Sequence, residues 1–378
     1  MALRLKCIWA LASIGMVGGA DAAPFGPEQF VTTSVRRHAV FYVGGDYEQK
    51  SGKSIMTGQM FVEGWAPEKV THPYPLVFLH GLGQTATNWM GTADGRKGWA
   101  DYFVDQGYVV YLVDQPSRGR SPWVPDGNAR WRHSDVNLVQ RLFTSSEQFK
   151  AWPQARRHTQ WPGGDSGKGP GGDVFDDFYR AIVPSLADNA TSESLVQKAM
   201  SALLDKVGPA VLVTHSQAGL FGWSVADARP KLVKAIVAVE PSGPPFQNAS
   251  QAVRELPWGL TNIPVTYSPA VSDPSQLEIE QQAQADGPDL VACWLQKKPA
   301  RKWVNLQQTP VLLVTSEASY HAPYDHCSAA FLKQAGVPTT FWRLEERGIQ
   351  GNGHLMMQEQ NNLQIAHEIQ GWIQQTTE

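Results

Sequence analysis

A mostly parallel β-sheet with helices on both faces is the fold this sequence predicts, and three observations carry the prediction. Four apolar runs show no polar alternation: PLVFLH (75–80), YVVYLVD (108–114), AVLVTH (210–215) and AIVAVE (235–240). Such runs suit strands covered on both faces. Two further runs, PVLLVTSE (310–317) and TTFWRLEE (339–346), follow at spacings that leave room for helical crossovers. Finally, the chain is 42% hydrophobic and 18% charged, with 34 Gly and 26 Pro in 378 residues. That composition supplies a large core and excludes a disordered tail, a collagen-like fibre or a long coiled coil.

The elements follow in order. Residues 1–22 carry Arg4 and Lys6, an apolar run from Cys7 to Val17, and small residues ending in Ala20-Asp21-Ala22. They read as a secretory signal that leaves Ala23 as the first mature residue. The run is too short for a membrane anchor, which takes about 20 apolar residues. Residues 23–378 read as one domain. HAVFYV (38–43) and SIMTGQMFVEGW (54–65) alternate in polarity and predict an antiparallel start. Two insertions, about 124–205 and 241–305, are too long for plain crossovers and are expected to form loops or a cap over a site. The first holds the glycine-rich WPGGDSGKGPGGD (161–173); the second is rich in Pro, Gln and Trp. Leu363, Ile365, Ile369 and Ile373 fall at helical spacing and predict a last helix over 361–374.

Thirty-two cationic side chains face 35 anionic ones, a net charge of −3 with no basic or acidic block. Nothing marks nucleic acid or a polybasic membrane contact, so a small molecule is the expected partner. Export leaves Cys293 and Cys327 as an even pair, expected to form a disulfide. The stretch HAPYDHC (321–327) lacks the paired short spacings of zinc sites, so no metal is expected. Asn189-Ala190-Thr191 and Asn248-Ala249-Ser250 match the glycosylation acceptor pattern.

The chemistry concentrates in VLVTHSQAGLFGW (211–223), where a strand runs through Ser216 into a helix-like stretch. That is the context of a nucleophile elbow, although Thr214 and Ala218 stand where small glycines are usual. A serine there is otherwise an ordinary helix cap. Partners occur in the order serine, acid, histidine: Glu240 ends the next strand in AIVAVEPSG, and His354 lies in GNGHLMM (351–357) between the last strand and last helix. A fourth element, His80-Gly81-Leu82-Gly83, ends a strand where hydrolases take a backbone N–H for the oxyanion. Leu82 and Gln217 are then the two donors. Gly81-x-Gly83-x-x-Ala86 also fits a dinucleotide fingerprint, but the next strand-end acid, Asp114, lies too far along for it. No cofactor is expected.

The blocks VFLHGLGQTATNW, TADGRKGWADYF, VVYLVDQPSRGRSPW, THSQAG, VAVEPSG and GNGHLMMQEQNN resemble the α/β-hydrolase fold. More narrowly, they are similar to the secreted esterase 713-like family of bacteria and fungi. In that group the acid is a glutamate after the strand that follows the nucleophile. The resemblance covers most of 75–375 and implies Ser216 as nucleophile, His354 as base and Glu240 as orienting acid. Glu317, near the acid position of the wider superfamily, is the rival. This chain departs in one respect: the best-known member has two adjacent cysteines where Leu82-Gly83 stand here, so no vicinal disulfide forms.

The expectation is therefore a secreted serine esterase that cleaves a small, apolar or aromatic ester through an acyl-enzyme. A lactonase or amidase would use the same residues, and a non-catalytic binding protein on a hydrolase scaffold is the alternative from another class. Trp123, Trp131, Trp152, Trp161, Trp258, Trp294 and Trp303 are candidates for a pocket lining, with core packing as the competing reading.

Overall fold

The β1–β2 hairpin opens the molecule. In the computed structural model, which describes residues 34–50, 52–123, 130–247 and 255–378, β1 (Val35–Lys50) pairs antiparallel with β2 (Lys53–Pro67) along its whole length. The signal expected over 1–22 and the triplet at Asn248 lie outside the described residues. Both strands are longer than their alternating segments. Backbone pairing continues to Lys50↔Lys53 after apolar content has ended, and Tyr47 at that end is 75% exposed.

Six more strands complete the sheet: β3 (Leu76–Leu79), β4 (Val110–Asp114), β5 (Ala210–His215), β6 (Val233–Val239), β7 (Val311–Thr315) and β8 (Thr339–Arg343). The order is β1-β2-β4-β3-β5-β6-β7-β8, parallel from β4 onward. All six predicted apolar runs are therefore strands of one sheet. Alternate side chains enter opposite cores, as the pleat requires. Leu212 and Leu313 face one core, while Val211, Val213, Leu312 and Val314 face the other.

Five helices cover the two faces. Helices α2 (Asn189–Val207), α3 (Ala218–Ala228) and α4 (Asp325–Gln334) supply Leu203, Phe221 and Phe331 to the first core. Helices α1 (Trp99–Asp105) and α5 (Asn362–Thr377) supply Phe103, Ile365, Ile369 and Ile373 to the second. Helix α5 runs three residues past the predicted end, because nothing after Gln374 breaks it. Among the described residues, no helix is long and apolar enough to cross a membrane.

The two long excursions join different cores. The one after β4 contributes Val139, Trp161, Phe175 and Phe178 to the α1/α5 side. The one after β6 contributes Phe246, Trp258, Leu260, Tyr267 and Trp303 to the α2/α3/α4 side. The expected Cys293–Cys327 disulfide is present and ties the second excursion to the first turn of α4.

Candidate active site

Strand β5 ends in a turn so sharp that Ser216 takes a left-handed backbone, φ 55°. Such a conformation costs a non-glycine residue about 1–3 kcal/mol and persists only where its surroundings over-determine it. Here the Ser216 N–H donates to Val239 O at 3.0 Å, and its carbonyl accepts from Gly219 and Ser242, each at 2.9 Å. Thr214, bulkier than the pattern expects, finds its space across α3. A Cβ at Gly222 would come to 3.0 Å from Thr214 Cγ2. The missing glycine in the turn is thus offset by one in the helix.

Glu240 stands at the end of β6, also left-handed at φ 44°. Its Oε2 lies 2.5 Å from Nδ1 of His354 and 2.5 Å from the donating Ser319 hydroxyl, and Oε1 accepts from Ser316 N–H at 2.7 Å. Both members of the pair are essentially sealed, at 0% and 1% exposure. Burial pushes the Glu240 carboxyl up, the charge of Asp325 adds to this, and the bonds from Ser319 and Ser316 oppose it. For His354, burial holds the imidazole well below its ordinary value, with His215 and His321 adding to the effect. Both shifts disfavour charge on the buried pair. With Nδ1 engaged by Glu240, Nε2 is the nitrogen left for other partners.

That nitrogen faces the Tyr320 hydroxyl at 3.3 Å, and the phenol lines the same cavity as Ser216. No direct hydrogen bond joins Ser216 to His354 in this structure, where Nε2 meets the Tyr320 hydroxyl instead. The His354 ring is stacked against Phe143 at 5.5 Å and against His321 at 4.7 Å. Its loop is anchored by Glu359, which accepts from Gly353 N–H at 2.9 Å and from the Asn352 amide at 2.7 Å. His158 pairs with Glu359 at 2.7 Å. Burial works against a charge on His158, yet Glu147 and Glu359 outweigh it and hold the imidazole up at about 9.

Glu317 occupies a different place. Its carboxylate accepts from Gly351 N–H at 2.9 Å and from Arg157 at 3.3 Å, so it braces the base of the histidine loop while Glu240 holds the ring.

The Gly81–Leu82 turn crosses beside the serine with no room for a side chain at 81. A Cβ there would lie 3.0 Å from Ser216 Cβ. Neither Leu82 N–H nor Gln217 N–H has a hydrogen-bond acceptor among the described residues. Buried Arg118 donates to Gly81 O at 2.9 Å and to Gln217 Oε1 at 3.2 Å, bracing both segments. Burial lowers its guanidinium to about 9, with Asp114 opposing. Gly83, in the left-handed region at φ 74°, is pinned by Ser185 Oγ at 3.0 Å and by Val183 N–H at 2.8 Å. Hydrogen bonds from the first excursion thus fix this turn. The Gln217 amide also donates to Asn189 Oδ1 at 3.0 Å, so the oxygen of that side chain is engaged within the protein.

Ser216, His354, Leu82 and Tyr320 line one cavity of about 550 Å³. Its remaining walls are largely apolar: Leu138, Leu142, Phe143, Trp152, Tyr324 and Leu355. Of the seven tryptophans considered from sequence, Trp152 alone lines it. Trp161, Trp258 and Trp303 are core, Trp294 packs against the core, and Trp123 meets Trp131 edge-on at 5.2 Å.

Among the described residues, two sets of side chains bring potential metal-ligand atoms within 4.8 Å of one another. In Cys293/His326/Cys327 both sulfurs are consumed by the disulfide. In Glu240/His321/His354 two of the members are bonded to each other. Sequence reasoning passed over Tyr320, Ser319 and Arg118. The available signal was the polar run Ser316–His321 directly behind a wholly apolar strand.

Comparison with known proteins places this geometry. A fungal protein named probable secreted lipase phiG (Fungal sp., strain ATCC 74256) is 49% identical over 336 residues, covering 88% of each chain. The solved structure of a bacterial esterase matches with a TM-score of 0.63 at 23% identity, covering 94% of this chain and all of that one. The model of the alpha/beta hydrolase family matches residues 76–368. On sheet order, elbow and family match together, the chain belongs to the alpha/beta hydrolase family.

Proposed function

We propose that this protein is a secreted carboxylic-ester hydrolase working through Ser216, His354 and Glu240. One observation supports the reading above all: a left-handed serine and a histidine paired at 2.5 Å with a buried carboxylate come from three separate connections after strands, and the serine and histidine line one largely apolar cavity. His354 Nε2 takes the Ser216 proton as Oγ attacks the ester carbonyl, and Glu240 holds the imidazolium that forms. The Ser216–His354 bond forms as substrate displaces the Tyr320 hydroxyl; loose base–nucleophile contacts are ordinary before substrate binds. Leu82 and Gln217 N–H receive the oxyanion. The proton passes to the leaving alcohol, and water then repeats the attack on the acyl-enzyme. The largely apolar walls favour an apolar or aromatic ester. Secretion rests on residues 1–22 and on the name of the fungal relative.

The test is a substrate and label experiment. Ser216→Ala should lose on the order of 10⁴-fold or more in kcat and all labelling by a fluorophosphonate. Glu240→Gln should lose roughly 10³- to 10⁴-fold, and Glu317→Gln less than about tenfold. Full activity in Ser216→Ala overturns the proposal, and a larger loss in Glu317→Gln reassigns the acid.

A further inference from the structure

We infer that the Tyr320 hydroxyl is a further catalytic group, which binds the leaving oxygen of the ester and, in the second half-reaction, the attacking water. The inference rests on the Ser216–His354 reading above and extends it to the alcohol side of the substrate.

The geometry begins with the nitrogen. His354 Nδ1 is taken by Glu240, so every proton the ring exchanges with substrate must pass through Nε2. Tyr320 Oη lies 3.3 Å from that nitrogen, and the phenol lines the same cavity as the serine. An oxygen within hydrogen-bond range of Nε2, in the cavity that also holds the nucleophile, occupies a particular position. It stands where the leaving oxygen must stand when Nε2–H protonates it, because that oxygen and Oγ share one carbonyl carbon. The deacylating water needs the same position by reversal of the same path. In the resting site the tyrosine hydroxyl holds this place itself.

The ring is not free to leave it by much. Trp152 meets Tyr320 edge-on at 6.1 Å, and the rings of His321 and His354 lie 4.5 and 4.7 Å away. Trp152 is itself fixed by donating to Ala318 O at 3.0 Å, two residues before the tyrosine. Substrate therefore shifts the hydroxyl aside from Nε2 while leaving it within reach of the incoming oxygen. Burial keeps the phenol protonated throughout, so it acts as a donor.

The protons balance without it. Ser216 O–H gives its proton to Nε2, and Nε2–H passes it to the alkoxide as the C–O bond breaks. Water then gives a proton to Nε2, which returns it to Oγ as the acyl bond breaks. Tyr320 keeps its own proton and adds one hydrogen bond to the oxygen on which negative charge develops. That bond matters most where the leaving group is a poor one. The substrate class it fits is esters of aliphatic alcohols, whose alkoxides need the help that phenolates do not.

The experiment compares Tyr320→Phe with native enzyme on two esters of one acid, an ethyl ester and a 4-nitrophenyl ester. The expected result is a kcat/KM loss of roughly tenfold or more on the ethyl ester and under about threefold on the nitrophenyl ester. Equal losses on both assign the tyrosine a purely structural role and overturn the inference, as does a gain on both, which would make the hydroxyl only a plug. Fluorophosphonate labelling of the variant keeps the two readings apart: retained labelling leaves the serine mechanism standing whatever the ester ratio. Should the variant not fold, the native enzyme decides through a series of leaving groups. Its kcat/KM should depend weakly on leaving-group pKa, and a steep dependence overturns the inference.

Discussion

The two long excursions look alike in the sequence, both tryptophan-bearing and both placed after the carboxyl ends of parallel strands, yet they do opposite work. The first brings Leu138, Leu142, Phe143 and Trp152 to the cavity and His158 to the histidine loop. The second brings Trp258, Tyr267 and Trp303 to the core and, among the described residues, no side chain to the cavity. Position after a strand end is therefore not enough to make a cover. What separates them is where the apolar surface goes: the second sends it into a closed cluster, while the first divides it between the α1/α5 core and the opening.

This contrast is open to a direct attack. Trp303→Ala should cost about 3–5 kcal/mol of stability, read by denaturant unfolding, with kcat/KM of the folded fraction unchanged. A lost activity at intact stability would give the second excursion a role in the site. His158→Gln strikes the first excursion where it supports the histidine loop, and at neutral pH or below should cost roughly 3 kcal/mol by leaving Glu359 buried without its partner. The folded His158 titrates near 9, above its unfolded value, so its contribution is complete below about pH 6.5 and vanishes as pH rises through about 9. The Tm gap between native and variant should therefore close over that window; a gap that stays constant means the charge is not the cause. Trp152→Ala should be milder, about tenfold in kcat/KM with little change in Tm, because one of its faces borders the opening. The smallest effect concerns pH alone. His354 is depressed below the ordinary imidazole value, so activity should persist below pH 6.5 and fall only as pH drops through that lower value. An acid limb at or above pH 6.5 would show a ring more solvated than this one.

Much of this was readable beforehand, for a definite reason. Strands buried on both faces must be apolar without interruption, so the five inner runs declared themselves while the edge strand β8 is only partly buried, and Ser216 and Glu240 stand at the ends of two of the inner runs. The disulfide followed from counting two cysteines. Tyr320, Arg118 and His158 stayed hidden because their roles depend on contacts across 34, 37 and 201 residues, which no local pattern encodes. The tryptophans stayed undivided between core and cavity wall for the complementary reason, that their size suits both, and the structure gives Trp152 to the cavity and Trp161, Trp258 and Trp303 to the core.

The pairing of Thr214 with Gly222 carries a lesson for anyone scanning genomes with the elbow motif. Volume there is a shared allowance between two positions eight residues apart, so a methyl gained before the serine is matched by one forgone in the helix behind it. A search that demands glycine at the first position discards chains that satisfy the same steric rule by spelling it at the second.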